Sequence, residues 1–238
     1  MGGALGWGVV AASSLVLGVA LGLARPWPES LIGYVLAFGA GALVSGVSFE
    51  LFEEGVAVGG AAAVGLGLGL GALVYFALAR AVEGIGTDRP HASSGGGTAL
   101  ALGAFLDGIP EQTVLGIGIA AGEGVSIGLL VAIFVSNLPE AIGSATDMRE
   151  AGTSLRRIRL LWFGVAALCA LATPLGYFLA ERTGGHFQAG INGFAAGALL
   201  VMLTDSMIPE AATKSGRGAG LATTFGFAVA AGLSTATA

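Results

Sequence analysis

The chain has 238 residues, of which 55% are hydrophobic and 11% charged, with 43 glycines, a formal net charge of −5 and a mean hydropathy of +0.86. Soluble domains carry about 25% charged residues, so an ordinary soluble domain is excluded; glycines set among Ala, Leu and Val without a collagen period exclude triple helix and disorder as well. What remains is an all-α polytopic membrane protein, with no basic face that would bind nucleic acid.

A helix needs about 20 mostly apolar residues to cross about 30 Å of hydrocarbon. Eight stretches qualify, at 4–23, 31–52, 56–78, 99–121, 125–147, 159–180, 189–211 and 219–235. The first residues lack a basic n-region and a cleavage pattern, so they are read as the first span. Residues 80–98 hold Asp88, Arg89, Pro90 and the run Ser93-Ser94-Gly95-Gly96-Gly97, and read as a flexible loop. The other connections are short, so residues 1–238 are expected to form a single transmembrane domain.

Basic residues set the orientation, because cytoplasmic loops carry an excess of Lys and Arg. With the N-terminus outside, the outward loops hold Arg182 and the inward ones hold the rest, including Arg80, Arg149, Arg156, Arg157 and Lys214. Both termini are therefore expected outside the cell's inner or plasma membrane, and 80–98 in the cytoplasm. Phe38 to Leu43 reads FGAGAL and Phe194 to Leu199 reads FAAGAL, an offset of 156 residues. Opposite orientation of the two segments would make spans 1–3 and 6–8 an inverted repeat around spans 4–5, as in secondary transporters.

The fourth span contains Asp107-Gly108-Ile109-Pro110-Glu111 and the fifth Ser136-Asn137-Leu138-Pro139-Glu140. A centrally placed acidic residue costs about 2.5 to 3.5 kcal/mol on insertion, so intramembrane carboxylates point to function. Residues four apart share a helix face, which pairs Asp107 with Glu111 and Ser136 with Glu140. In antiparallel neighbours, the rise per residue sets Glu111 near the level of Ser136 and Asn137, and Asp107 near Glu140. Pro110 and Pro139 cannot donate to the carbonyls of Leu106 and Val135, so each helix kinks and frees an acceptor at membrane depth. A cation with its waters satisfies such acceptors and offsets the acids' mutual repulsion. The plainer alternative is that the prolines only shape the bundle while the acids are protonated and hydrogen-bonded. Glu50 and Asp205, near span ends, are candidates for an ion's path; Glu53, Glu54 and Glu210 read as solvated. Cys169 reads as a small buried hydrophobe, and His91 and His186 as loop histidines; Gln112 reads equally as packing or ligand.

On these residues the chain resembles the ZIP (Zrt/Irt-like) family of divalent metal transporters, whose fourth span typically reads His-Asn-x-Pro-Glu-Gly and whose fifth reads His or Gln, then x-x-Pro-Glu-Gly. Here those frames read Asp107-Gly108-Ile109-Pro110-Glu111-Gln112 and Ser136-Asn137-Leu138-Pro139-Glu140-Ala141. The resemblance implies eight spans with both termini outside, and a metal site of Asp107, Glu111, Ser136, Asn137 and Glu140. It also implies transport by movement of metal-carrying helices against a scaffold that includes the second and seventh spans. Imidazole suits Zn²⁺ and Fe²⁺, whereas oxygen ligands suit harder ions such as Mn²⁺, Mg²⁺ or Ca²⁺, so the expected substrate is zinc, manganese, iron or another divalent ion. Gly108 lacks the side chain that would serve a second metal. No cofactor is expected to be tightly bound, and Gly/Ala-rich helices would allow a homodimer. The chain is not expected to be an enzyme, since it has no GxGD, GxSG or HExxH pattern. The alternative function is a membrane protein that binds or senses metal without transporting it.

Overall fold

The computed structural model describes residues 2–87, 96–120 and 125–237; for 82–87, 96–104, 106–107 and 235–237 it describes the backbone only. Among these residues every regular element is helical: α1 (Gly2–Ala24), α2 (Glu29–Gly46), α3 (Glu54–Gly59), α4 (Ala61–Thr87), α5 (Gly96–Ala120), α6 (Ile127–Glu150), α7 (Leu155–Arg182), α8 (Gly185–Met202), α9 (Ile208–Ser215) and α10 (Ala219–Thr237). A π-helical turn, Val47–Glu53, joins α2 to α3, and a second, Leu203–Met207, joins α8 to α9. Helix dominates a chain this rich in glycine because hydrocarbon offers the backbone no hydrogen-bond partner but itself.

Six stretches of the described residues are long and apolar enough to cross a membrane: Gly2–Ala24, Glu29–Gly59, Ala61–Ala81, Ile127–Glu150, Leu155–Arg182 and Gly185–Ser234. The sequence leads one to expect eight. The expected span 99–121 falls on α5, many of whose side chains lie outside the described residues, and it is not among the six. The expected spans 189–211 and 219–235 fall in one stretch of 50 residues. The third expected span also starts in the wrong place. Val56 belongs to α3, and α4 begins only after Gly60, whose φ of 89° breaks the helix. Of the expected loop 80–98, α4 takes the residues up to Thr87 and α5 those from Gly96; 88–95, with His91, lie outside the described residues.

Leu66 and Leu221 are each 79% exposed and Leu73 is 68% exposed, on α4 and α10. Large apolar patches of this kind mark a surface built for another apolar medium, here lipid. Inside the bundle, Leu36, Leu43, Ile133, Leu199 and Leu203 form the centre of one core between α2, α6 and α8. Leu15, Ile158 and Trp162 centre a second, between α1, α6 and α7. Helix α6 contributes to both, which places its Pro139-Glu140 step in the middle of the protein.

Element boundaries recur at the offset of the FGAGAL and FAAGAL segments. Helices α2 and α8 both have 18 residues, starting at Glu29 and Gly185. The π turns open at Val47 and Leu203, and α3 and α9 end at Gly59 and Ser215. Gly60 and Gly216 follow, with φ of 89° and 63°, where a Cβ would be strained. Ser48 Oγ donates to the Val44 carbonyl and Thr204 Oγ1 to the Leu200 carbonyl, each at 2.8 Å. Packing is exchanged in the same sense: α2 packs on α10 and α8 on α4, while α1 packs on α6 and α7 on α5.

Candidate functional site

Pro110 and Pro139 both sit inside helices, α5 and α6, and each is followed by a glutamate. The two helices meet at these steps. Ser136 Oγ donates to Glu111 Oε1 at 3.3 Å and also lies 3.0 Å from the Ile133 carbonyl oxygen. Glu111 and Ser136 are each 2% exposed. The pairing of Glu111 with Ser136 agrees with the levels expected from helix rise. Helix α2 comes close behind them because Gly39 has no side chain: a Cβ there would stand 2.8 Å from Ser136 Cα.

Glu111, Ser136 and Glu140 line one cavity of about 20 Å³, closed by Leu36, Met202 and Met207 and, on its open side, by Ser206 and Glu210. That is room for about one water-sized occupant. Apolar walls strengthen every electrostatic interaction inside, so neighbouring carboxylates there call for a countercharge, a proton or a cation. Oxygen donors of this kind suit a hard or borderline divalent ion.

Glu210, which reads from the sequence as solvated, is in the wall while its side chain remains 43% exposed. Its carboxylate accepts from Lys214 Nζ at 2.6 Å. The signal that would have found it is a third Pro-Glu step, Pro209-Glu210, in an apolar stretch. All three such glutamates reach the same cavity. Pro28-Glu29 does not, since there the proline begins α2 rather than interrupting a helix.

The other expected residues are placed as follows. Asp107 lies on α5, and its side chain is outside the described residues. Asn137 is 1% exposed and is not in the cavity wall; its Nδ2 has no hydrogen-bond partner among the described residues. Glu50 is elsewhere, in the first π turn, where its Oε1 accepts from Ser126 Oγ at the N-terminus of α6 and from Ser234 Oγ of α10. Asp205 is exposed in the second π turn, one residue before Ser206, and does not line the cavity. Gln112 packs: its Oε1 accepts from Thr173 Oγ1 of α7 at 2.6 Å, with no exposed surface. Gly108 faces Cys169, whose Sγ would stand 2.5 Å from a Cβ at 108, so an asparagine there would require the Cys169 side chain to shift. Among the described residues, no three His, Cys, Asp or Glu stand close enough to hold a metal ion as they are.

No protein-family model matches the chain. It is similar to a protein of Arabidopsis thaliana named "Putative zinc transporter", at 30% identity over 108 residues that cover 44% of this chain and 17% of that protein. The match thus spans about a sixth of that relative's length.

Proposed function

We propose that this chain carries divalent metal ions across a membrane in the manner of the ZIP family. The ion's site would be Glu111, Ser136 and Glu140, with Asp107 and Asn137 as further oxygen donors, and Glu50 and Asp205 on the path. The observation that carries the reading is the cavity shared by α5 and α6 and lined by their Pro-Glu carboxylates, inside a bundle whose outer leucines suit lipid. The likeness to a protein named as a zinc transporter supports metal as the cargo. No covalent step and no tightly bound cofactor are needed: the ion would shed part of its water shell, bind, and be released as α5 and α6 move.

Eight crossings fit this reading. A 50-residue helical stretch at about 1.5 Å per residue is more than twice the thickness of the hydrocarbon, and Gly216 turns the chain within it. With α5 added, eight crossings result, and the recurrence at 156 residues becomes an inverted repeat. Both termini would then lie outside the cell membrane. This orientation predicts that a cysteine at Ser94, with Cys169 replaced by alanine, is labelled by a membrane-impermeant maleimide only from the cytoplasmic side. Labelling from outside overturns it.

The functional test is uptake of Zn²⁺, Mn²⁺, Fe²⁺ and Mg²⁺ into proteoliposomes containing the folded protein. Saturable uptake of at least one ion is expected. Binding without uptake would assign the chain to metal sensing or storage, and neither would remove metal from its function. In the same vesicles Mn²⁺ is expected to compete well with Zn²⁺, because carboxylate, hydroxyl and amide oxygens discriminate weakly by softness. Asp107→His is expected to shift the ratio toward Zn²⁺ by about tenfold, or ~1.4 kcal/mol. An unchanged ratio would mean that residue 107 does not touch the ion.

A further inference from the structure

Lys214 is a cation fixed beside the cavity. Its stem is wedged against α2, where a Cβ on Gly33 would stand 2.7 Å from Lys214 Cβ. Its Nζ reaches toward α6, 3.6 Å from where a Cβ on Gly143 would lie, and pairs with Glu210 at 2.6 Å. Glu210 in turn is in the wall with Glu111 and Glu140. An i, i+4 Glu–Lys pair on an open helix surface is usually worth a few tenths of a kcal/mol and signifies little. This one differs in its surroundings: one carboxylate faces the same cavity as two others, and the Lys214 side chain is only 23% exposed, set against two further helices.

We infer that Lys214 is a tethered counter-cation of the proposed metal site. This rests on the metal-transport reading and adds to it how the cavity is kept in charge balance. Glu111, Glu140 and Glu210 carry three negative charges; a divalent ion answers two of them, and Lys214, whose charge also acts on Asp147 of α6, answers part of the third. With no ion bound, Lys214 offsets part of the repulsion among Glu111, Glu140 and Glu210, which lets the carrier exist empty. When an ion enters or leaves past Glu210, it competes with the ammonium for that carboxylate, so Lys214 weakens binding at this mouth and hastens release. The cavity's lining supplies the route: Ser206 and Glu210 are the wall residues on its exposed side.

The test is equilibrium Zn²⁺ binding to the purified full chain, with Zn²⁺ efflux from loaded proteoliposomes as the second readout. Lys214→Met, which keeps the stem and removes the charge, is expected to bind Zn²⁺ about tenfold or more tightly, because a neighbouring positive charge in a low-dielectric site is lost, and to release it correspondingly slowly. Lys214→Arg is expected to behave as the wild type. Glu210→Gln should move affinity the other way, weakening it about tenfold by removing a wall carboxylate and freeing the ammonium. Opposite signs are the diagnostic result, since a merely structural ion pair broken from either end changes both variants in the same direction. Lys214→Met and Lys214→Arg both matching the wild type, or Lys214→Met and Glu210→Gln both weakening binding, overturns the inference. If the folded wild type binds no Zn²⁺ while these variants behave alike, it is the metal-site reading that fails, and the role of Lys214 falls with it.

Discussion

Replacing Glu111 or Glu140 by alanine is expected to reduce divalent-ion uptake by two orders of magnitude or more while the protein still inserts and folds. Both carboxylates line a cavity of about 20 Å³, too small for a fully hydrated ion, so an occupant must exchange water for wall oxygens. Losing one charged ligand of such a site typically costs several kcal/mol, because the ion keeps its desolvation cost and lacks the compensating charge. At ~1.4 kcal/mol per tenfold, that is a loss of a hundredfold or more. Ser136→Ala, which removes a neutral donor 3.3 Å from Glu111, should cost only about fivefold, near the ~1 kcal/mol of an ordinary hydrogen bond. Glu53→Ala is the control: it lies in the same π turn as Glu50 but is exposed and outside the cavity, and should leave uptake unchanged. Uptake at wild-type rates by both central variants, measured on protein shown to be folded, would remove the metal from this cavity.

The doubled Pro-Glu step and its spacing were enough to bring Glu111 and Ser136 to one level, because helix rise is a rigid ruler and Ser136 lies only 25 residues on. Glu210 was not legible by that ruler. It reaches the cavity from a different part of the chain, and the π turn before it adds a residue to the turn, which rotates the helix face that simple 3.6-residue spacing predicts. Ser206, one residue after Asp205 in the same π turn, is the one that lines the cavity. The start of the third span failed for a different reason: hydropathy sees an apolar run through Gly60 without interruption, whereas the backbone turns there because only glycine takes a φ of 89° without strain. Glu50 shows a third limit. Its carboxylate is held by two hydroxyls, Ser126 and Ser234, from residues 76 and 184 positions away, a placement that only the packed bundle determines.

Gly41→Ala is expected to lower the apparent melting temperature of the detergent-solubilised protein by about 5–10 °C, the effect of 2–3 kcal/mol of overpacking in a chain of this size. Gly41 lies where α2 crosses α10. A Cβ there would overlap the Thr223 carbonyl oxygen and stand 2.9 Å from Phe227 N. Both neighbours are backbone, so no side-chain rotation can relieve the contact, and α10 must move away along the whole crossing. That movement also parts Phe38 from Phe225, whose ring centroids are 5.9 Å apart, and Phe49 from Phe227, at 6.0 Å. Small residues at such crossings matter more in a membrane than in water, because lipid offers leucines as good a partner as another helix does and close packing is what remains to hold helices together. Gly197 stands 156 residues on, at the crossing of α8 and α4, and a Cβ there would overlap the Leu68 carbonyl oxygen. Gly197→Ala should therefore cost about as much as Gly41→Ala, to within roughly 1 kcal/mol, if the two crossings are equivalent. Gly220→Ala on α10 is the opposite case, with nothing within 4 Å of the added methyl. There alanine's better helix propensity leaves stability unchanged or raises it by up to about 1 kcal/mol. Equal melting temperatures for the wild type and Gly41→Ala would show that α2 and α10 are not pressed backbone to backbone. A large loss at Gly41 with none at Gly197 would break the equivalence of the two crossings.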